Sequence, residues 1–235
     1  MLLRRGVPLC LLLVAAPAGA EEGQSPWHLQ VEALTEAPLD VGARVLIEGP
    51  ARLRLSSSFG VLPGPYVELI NDAVVALGGY DQQTADLIQS SLSSSLVWRA
   101  HLGWRPFPHA GFVLDVGYGL VTLGGGVKAA DAIAAAAGHS APSRPGGTTY
   151  DVASTLQMVD ADLGWEWTML GDHLVIEAAL GFAGTFAAST SATPQGSTSR
   201  AKDAFGEEAA SYLDGLYTQY VFTPVVTVAL GYRFF

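Results

Sequence analysis

The sequence has little of what most functional sites are built from: thiols, charge and long apolar runs are all scarce. The only cysteine is Cys10, so the chain beyond the first twenty residues can form neither a disulfide nor a thiolate-based site. Charged residues make up 14% of the chain, against 49% hydrophobic residues and a mean hydropathy of +0.31. Beyond the N-terminal segment, no run approaches the ~18 apolar residues typical of a membrane-spanning helix.

The first twenty residues predict a secretory signal peptide rather than part of the fold. Arg4 and Arg5 form a charged start, residues 7–16 an apolar core, and the small residues 18–20 a cleavage site. A membrane anchor is the other interpretation, but the apolar core is short and no stop-transfer pattern follows it. We therefore expect a signal peptide at residues 1–20, Sec-type export, and one domain at residues 21–235.

The charge balance is acidic. The sequence has 22 acidic residues and 12 basic ones, and two of the basic residues, Arg4 and Arg5, lie in the predicted signal peptide. Proteins that bind nucleic acid usually carry basic patches, so we expect no nucleic-acid partner.

Eight segments alternate apolar and polar side chains with a period of two, which is typical of strands that are wet on one side only. They are residues 27–33, 41–48, 52–59, 96–105, 112–120, 159–167, 174–183 and 217–235. A membrane strand needs only ~9–11 residues with every second one apolar. The pattern predicts an all-β fold: an eight-stranded antiparallel up-and-down transmembrane β-barrel.

The connections support this architecture. Short connections at residues 49–50, 106–110 and 170–172 alternate with long ones at 61–93, 125–150 and 188–216, and only the first outer connection, 35–39, breaks the rule. Short turns on one rim and long loops on the other are typical of outer-membrane barrels.

Aromatic side chains gather at the strand ends on the short-turn rim. Indole and phenol rings favour the membrane interface because they combine an apolar body with a polar group. The predicted girdle consists of Trp27, Trp104, Phe112, Trp165, Trp167, Tyr232 and Phe234. The alternative is that these are rim residues of a soluble barrel.

The long loops contain segments with helical spacing of apolar residues or helix-prone composition: 66–77, 84–92, 129–137 and 201–216. One interpretation is that these short helices lie on the barrel rim and bury their apolar faces against each other. The other is that they form a lid or a surface for a partner.

The polar face of the strands would fill the lumen with charge. The predicted lumen network consists of Arg44, Arg52, Arg54, Arg99, His101, Arg105, Asp115, Asp160, Asp162, Glu166, Glu177 and Arg233, with Glu32 and Glu48 on the same face. An eight-stranded barrel has room only for its own side chains or one small ligand, and buried charges must pair. We interpret the network as a plug of salt bridges; a narrow polar pore or small-solute site is the alternative.

Signals for enzymatic or metal chemistry are weak. The five histidines lack metalloprotease spacing, and no nucleophile elbow or P-loop is present. A buried histidine in a polar network explains His101, and arginines across the lumen explain the neighbouring Asp160 and Asp162 more simply than a catalytic carboxylate pair does. We expect no catalytic residue, no metal and no cofactor.

With its signal peptide, alternating strands, girdle and terminal Tyr232, Arg233, Phe234 and Phe235, the chain resembles the small outer-membrane β-barrel superfamily, such as the OmpA transmembrane domain, OmpX and OmpW. The resemblance is architectural and transfers no catalytic residue. It implies a C-terminal assembly signal at Tyr232, Phe234 and Phe235, read by the barrel-assembly machinery.

The resemblance also implies residence among the lipids of the outer membrane of a Gram-negative-type bacterium. We expect a monomer without enzymatic activity, in a structural or interaction role. The alternatives are an OmpW-like narrow channel for small solutes and a soluble lipocalin-like binding barrel.

Overall fold

The computed structural model shows a closed antiparallel barrel in which each strand pairs with its neighbour in sequence and β8 pairs with β1. It describes residues 27–76, 78, 82, 85, 89, 92–107, 110–128, 149–196 and 199–235. The strands are β1 (His28–Ala37), β2 (Asp40–Glu48), β3 (Leu53–Val61), β4 (Leu92–Trp104), β5 (Phe112–Lys128), β6 (Thr149–Met169), β7 (Leu174–Pro194) and β8 (Phe222–Arg233). The fold predicted from the alternation is confirmed.

Among the described residues, the long outer connections contain the helices α1 (Gly64–Ala76) and α2 (Arg200–Tyr220), and residues 82, 85 and 89 are also helical. Helices α1 and α2 confirm the helices expected near residues 66–77 and 201–216. The helix expected at 129–137, nearly all of the one expected at 84–92, and the predicted signal peptide lie outside the described residues. Within the described part of the chain, no helix has both the length and the apolar character needed to cross a membrane.

The inside and outside faces of the strands follow from the alternation. Along β8, Val226, Val228 and Leu230 are about half exposed, whereas Thr227 and Ala229 are almost completely buried. The same alternation holds along β1 to β7 near the short-turn rim. The strands therefore present an apolar face on the outside and place their charged residues in the lumen, as expected for a barrel immersed in lipid.

Three strands extend furthest beyond the bounds that the alternation predicted. β5, β6 and β7 continue outward through residues 121–128, 149–158 and 184–194, which form a tall segment of sheet that we call the outer wall. It extends roughly 30 Å along the strand direction, at about 3.3 Å per residue. The prediction assigned 125–128, 149–150 and 188–194 to loops and left the other residues outside both strands and loops, because small residues on both faces obscure a period of two.

A β-bulge separates the outer wall from the lower barrel. Gln157 pairs with Ala187 but Met158 pairs with Thr185, so Phe186 has no partner on β6. The extra residue exchanges the two faces of β7. As a result, odd-numbered residues face inward below the bulge and even-numbered ones, such as Pro194, face inward above it.

Helix α2 lies on the inner face of the outer wall. Tyr150 shares the inward face of β6 with Asp160; its ring lies 5.3 Å from that of Phe205, and its hydroxyl donates a hydrogen bond of 3.1 Å to the carbonyl of Lys202. The helix begins after Ser199, whose hydroxyl accepts a hydrogen bond from a first-turn backbone amide.

The beginning of the last predicted strand was wrong. Residues 217–220 are the last turn of α2, and β8 begins only at Phe222. In this last turn, Tyr217 packs against apolar residues in the barrel mouth.

Candidate functional site in the barrel lumen

The polar faces of the strands meet in the lumen as one set of buried ion pairs, which we call the ion-pair network. Its arginines are Arg44, Arg54, Arg99, Arg105 and Arg233, and its partners are Glu32, Glu36, Glu48, Asp115, Asp160, Asp162, Glu166 and Glu177, with His101. All the residues predicted for the lumen lie in it except Arg52. The strands bring these residues together because every second side chain of a strand points into the lumen.

Glu177 lies at the centre of the network and joins two arginines. Its Oε1 accepts a hydrogen bond of 2.6 Å from Arg44, and its Oε2 accepts one of 2.6 Å from Arg54. Arg44 also donates to Glu32 at 2.5 Å. These side chains belong to four strands, so the charges connect opposite sides of the barrel.

Glu166 plays a similar part nearer the short-turn rim. Its Oε1 accepts hydrogen bonds from Arg105 at 2.6 Å and from Arg233 at 2.7 Å. Arg105 also donates to Glu48 at 3.0 Å. The lumen is thus bridged at the rim as well as in its middle.

The outer part of the network is built around Arg99. This arginine donates to Glu36 and lies 3.0 Å from Asp160 Oδ1 and 3.9 Å from Asp162 Oδ2. His101 Nε2 lies 2.9 Å from the same oxygen of Asp160.

Two buried acids escaped the sequence analysis. Glu36 and Asp40 are each 1% exposed. They lie directly opposite each other in the register of the β1–β2 hairpin. The prediction treated residues 35–39 as a connection. Continuing the alternation of β1 beyond Glu32 would have placed Glu36 inside.

The prediction that Arg52 faces the lumen was wrong. Pro50 begins a short 3-10 turn that ends at Arg52, and both Ala51 and Arg52 have positive φ. This turn breaks the alternation just before β3. Arg52 lies half-buried at the rim and donates to the carbonyl of Pro106 at 3.5 Å.

Glycines on neighbouring strands make room for the carboxylates. Gly117 lies between His101 on β4 and Asp160 on β6 in the same row of the sheet, and a Cβ at Gly117 would collide with both side chains. A Cβ at Gly181 would collide with Asp162 in the same way. These inward glycines therefore make room for specific acids.

Replacing Gly117 with alanine should therefore lower the free energy of unfolding by roughly 1–3 kcal/mol, because the added methyl group overpacks a filled lumen. Gly126→Ala on the same strand is the matched control, since a Cβ there makes only an ordinary contact with Thr149. Urea titration of both refolded variants measures the difference. Equal stability of the two would show that the space above Gly117 is not needed.

An apolar layer closes the lumen on the outer side of the ion-pair network. We call it the apolar cap; it consists of Leu39, Val97, Val121, Leu156, Met158, Ala183 and Val225. Several members occupy the next inward position along their strand from a network residue, as Val97 does from Arg99 and Met158 from Asp160. The change from charged to apolar side chains is therefore sharp.

The C-terminal end of α2 covers the apolar cap. Tyr217 and Val221 pack against it from the outer side. Burial raises the pKa of the Tyr217 hydroxyl. The position of this helix agrees with the interpretation that it forms a lid, rather than with the interpretation that it lies on the barrel rim.

The outer surface of the barrel is an apolar belt. Its members expose between 42% and 66% of their side chains, and they include Val31, Val45, Leu55, Phe59, Leu102, Val116, Leu163, Leu180, Val228 and Leu230. Soluble monomers rarely expose contiguous apolar patches of this extent.

The predicted girdle residues lie at the short-turn edge of this belt. Six of the seven have outward side chains that are 39–51% exposed, while Phe112 is half-buried. Tyr232 and Phe234 contact each other with ring centroids 5.1 Å apart. Phe235 lies one residue beyond, and its carbonyl is 2.9 Å from His28 Nδ1.

A second aromatic group lies at the opposite edge of the belt and was missed in the sequence. Trp98 and Tyr118 are 6.3 Å apart, Tyr118 and Phe186 are also 6.3 Å apart, and Phe182 is 4.0 Å from Phe222. Outward aromatics on both sides of an apolar band are typical of membrane barrels.

Comparison with solved structures supports the fold. The chain resembles a major outer membrane protein from Thermus thermophilus, with a TM-score of 0.50, 12% identity, and coverage of 88% of this chain and 99% of that one. At this identity the likeness concerns the fold alone, and it is the fold predicted from the strands. No protein-family model and no curated protein matches the chain.

Two further structures align over similar lengths. They are the N-terminal β-barrel domain of Pseudomonas aeruginosa OprF, with a TM-score of 0.39, 9% identity and coverage of 89% and 98%, and Acinetobacter baumannii CarO, with a TM-score of 0.38, 11% identity and coverage of 88% and 97%. Their scores are too low to support any argument about this chain.

Proposed function

We propose that this protein is a non-enzymatic outer-membrane β-barrel with a closed lumen, and that it acts in a structural or interaction role through its outer helices. The observation that carries the proposal is the double closure of the lumen, first by the ion-pair network and then by the apolar cap beneath α2. A barrel filled at two successive levels leaves its outer surfaces as the places where it can act.

The membrane location rests on the apolar belt and its two aromatic edges. Burying this surface in lipid removes the cost of exposing it to water, at about 25 cal/mol per Å² of apolar area. A soluble lipocalin-like barrel would instead present a polar outer face and enclose its ligand in an apolar interior. Here the apolar face is outside and the charges are inside. The outer membrane of a Gram-negative-type bacterium, reached by Sec-type export and the barrel-assembly machinery, fits this arrangement.

The closed lumen predicts that the protein conducts no ions across a lipid bilayer. Purified protein inserted into a planar lipid bilayer should give no stable open level, because ions would have to break buried ion pairs and then cross an apolar layer. A 16-stranded porin in the same bilayer is the positive control, since barrels of that size enclose an aqueous channel. A stable and sizeable conductance would reject the closed-lumen proposal.

A narrow cation pathway is the second candidate, and one observation favours it. The lumen holds more carboxylates than guanidinium groups, with Glu36, Asp160 and Asp162 grouped around Arg99. If ions pass, Asp162→Ala and Arg99→Ala should change the cation-to-anion selectivity in opposite directions while the barrel stays folded. Current that is insensitive to both substitutions would place any leak outside the lumen.

A further inference from the structure

The outer part of the ion-pair network has too few positive charges. Glu36, Asp160 and Asp162 are each 1–8% exposed and share one guanidinium, Arg99, while Asp40, 1% exposed, lies opposite Glu36 in the β1–β2 register. Neither carboxylate oxygen of Asp40 has a hydrogen-bond partner among the described residues. Unbalanced charge in a buried site is costly, so this region needs a further positive charge.

Three side chains in this region converge on one point. His101 Nε2 lies 2.9 Å from Asp160 Oδ1 and 4.0 Å from Asp162 Oδ2. One ligand atom from each side chain lies within 4.8 Å of the others. Zinc bonds of about 2.0–2.2 Å in tetrahedral geometry separate ligand atoms by about 3.3–3.6 Å, which falls between these two distances.

The sheet holds these ligands in register. His101, Gly117 and Asp160 form one row across β4, β5 and β6, and Asp162 is the next inward residue of β6. Because Gly117 has no side chain, His101 and Asp160 meet directly above it. A ligand set carried by strands in this way is rigid, which favours a metal with strict geometry.

Polar atoms in the cluster lack partners. Asp160 Oδ2, Asp162 Oδ1 and His101 Nδ1 are buried without a hydrogen-bond partner among the described residues, and all three side chains are more than nine-tenths buried. Buried polar atoms are nearly always paired with protein, water or an ion. The free oxygens belong to the same carboxylates that face His101.

We propose that His101, Asp160 and Asp162 bind a divalent metal ion of the zinc class inside the barrel. One imidazole and two carboxylates supply nitrogen and oxygen ligands that suit Zn²⁺, and the ion would supply the missing positive charge. Arg99 donates to Glu36 and lies 3.0 Å from Asp160 Oδ1, so it would share the Asp160 carboxylate with the metal. The metal would tie β4 to β6 across β5 and stiffen the barrel just below the apolar cap.

Closure on both sides determines how the site must be loaded in an experiment. The apolar cap lies on the outer side of the cluster and the ion pairs of Glu177 and Glu166 lie on the other. The full chain should therefore be unfolded, stripped with a chelator and refolded into detergent with Zn²⁺. After removal of loosely bound metal on a chelating resin, we expect about one zinc per chain by inductively coupled plasma mass spectrometry.

Co²⁺ is a second probe, because its absorption spectrum reports the number of ligands around the metal. Refolding with Co²⁺ instead of Zn²⁺ should give visible absorption bands of a four-coordinate site. His101→Ala and Asp162→Ala should reduce bound metal to less than about a tenth of the wild-type amount, because three protein ligands hold the ion. Glu48→Gln is the matched control; it removes a lumen carboxylate that pairs with Arg105 at the rim and should leave the metal content unchanged.

The wild-type measurement decides the question even if the variants fail to fold. Wild-type protein refolded with excess zinc that retains less than about a tenth of an equivalent would overturn the proposal, since a three-ligand site should hold the ion through the resin. So would bound cobalt whose spectrum shows only six-coordinate oxygen ligands, or metal retained undiminished by folded His101→Ala.

Discussion

Replacing Glu177 with glutamine should destabilise the barrel more than any other single conservative change in the lumen. The carboxylate accepts hydrogen bonds of 2.6 Å from both Arg44 and Arg54, and all three side chains are almost completely buried. Removing one member of a buried charge pair leaves its partners uncompensated, at a cost of about 3–5 kcal/mol. Urea titration of the refolded protein should show this loss in the free energy of unfolding.

A double-mutant cycle tests how much of this loss of stability comes from the pair of Glu177 and Arg44. Arg54 retains Glu166 at 3.4 Å and Asp115 at 3.8 Å, whereas Arg44 retains Glu32. If Glu177 acts mainly through Arg44, the double variant Glu177→Gln with Arg44→Met should lose less stability than the sum of the two single variants. Fully additive losses would mean that the two side chains are not coupled.

An exposed acid provides the comparison. Glu208 lies on an exposed face of α2, so Glu208→Gln should change stability by less than about 0.5 kcal/mol. If Glu177→Gln were as mild as Glu208→Gln, the ion-pair network would not hold the lumen together, and the closed-lumen proposal would lose its main support.

Replacing Leu180 with arginine should be the most damaging change on the outside. Leu180 is 66% exposed and pairs with Leu163 and Val226 in the middle of the apolar belt. An arginine facing lipid near the bilayer midplane costs about 2–4 kcal/mol in membrane barrels. The loss should appear as a lower free energy of unfolding, or a smaller folded fraction, for protein refolded into liposomes.

Leu170 is the matched control because it is also an exposed leucine, at 77%, but lies in the turn between β6 and β7. Leu170→Arg should leave folding unchanged. In a soluble barrel both leucines would face water, and the two substitutions would behave alike. Equal behaviour in liposomes would therefore exclude a lipid-facing position for Leu180.

Much of the architecture could be read from the strands themselves. A period of two requires only local chemistry, since each residue alternates sides regardless of what its neighbours do. This is why Arg44, Arg54, Asp162 and Glu177 could be assigned to the lumen before any contact was known. The number of strands, their order and the outward belt follow from the same alternation together with the lengths of the connections.

The predictions made from the alternation were wrong or incomplete where the chain departs from a regular strand. Arg52 was misplaced because the turn after Pro50 resets the phase, and Glu36 was overlooked because β1 runs further than its apolar pattern. The outer wall was missed because small residues on both faces of its strands obscure a period of two. The bulge at Phe186 then exchanges the faces of β7, which no local pattern reveals.

The sequence by itself determined that this protein is an eight-stranded barrel with charge inside and an apolar surface outside, because side-chain direction in a strand depends only on position. Which charges meet was decided by the tertiary structure, since pairing depends on register between strands far apart in the chain: Glu177 lies 133 residues from Arg44. The same holds for the metal-ligand cluster around Gly117 and for the apolar cap beneath α2. Both arise because closure of the barrel determines which residues of different strands lie next to each other in the lumen.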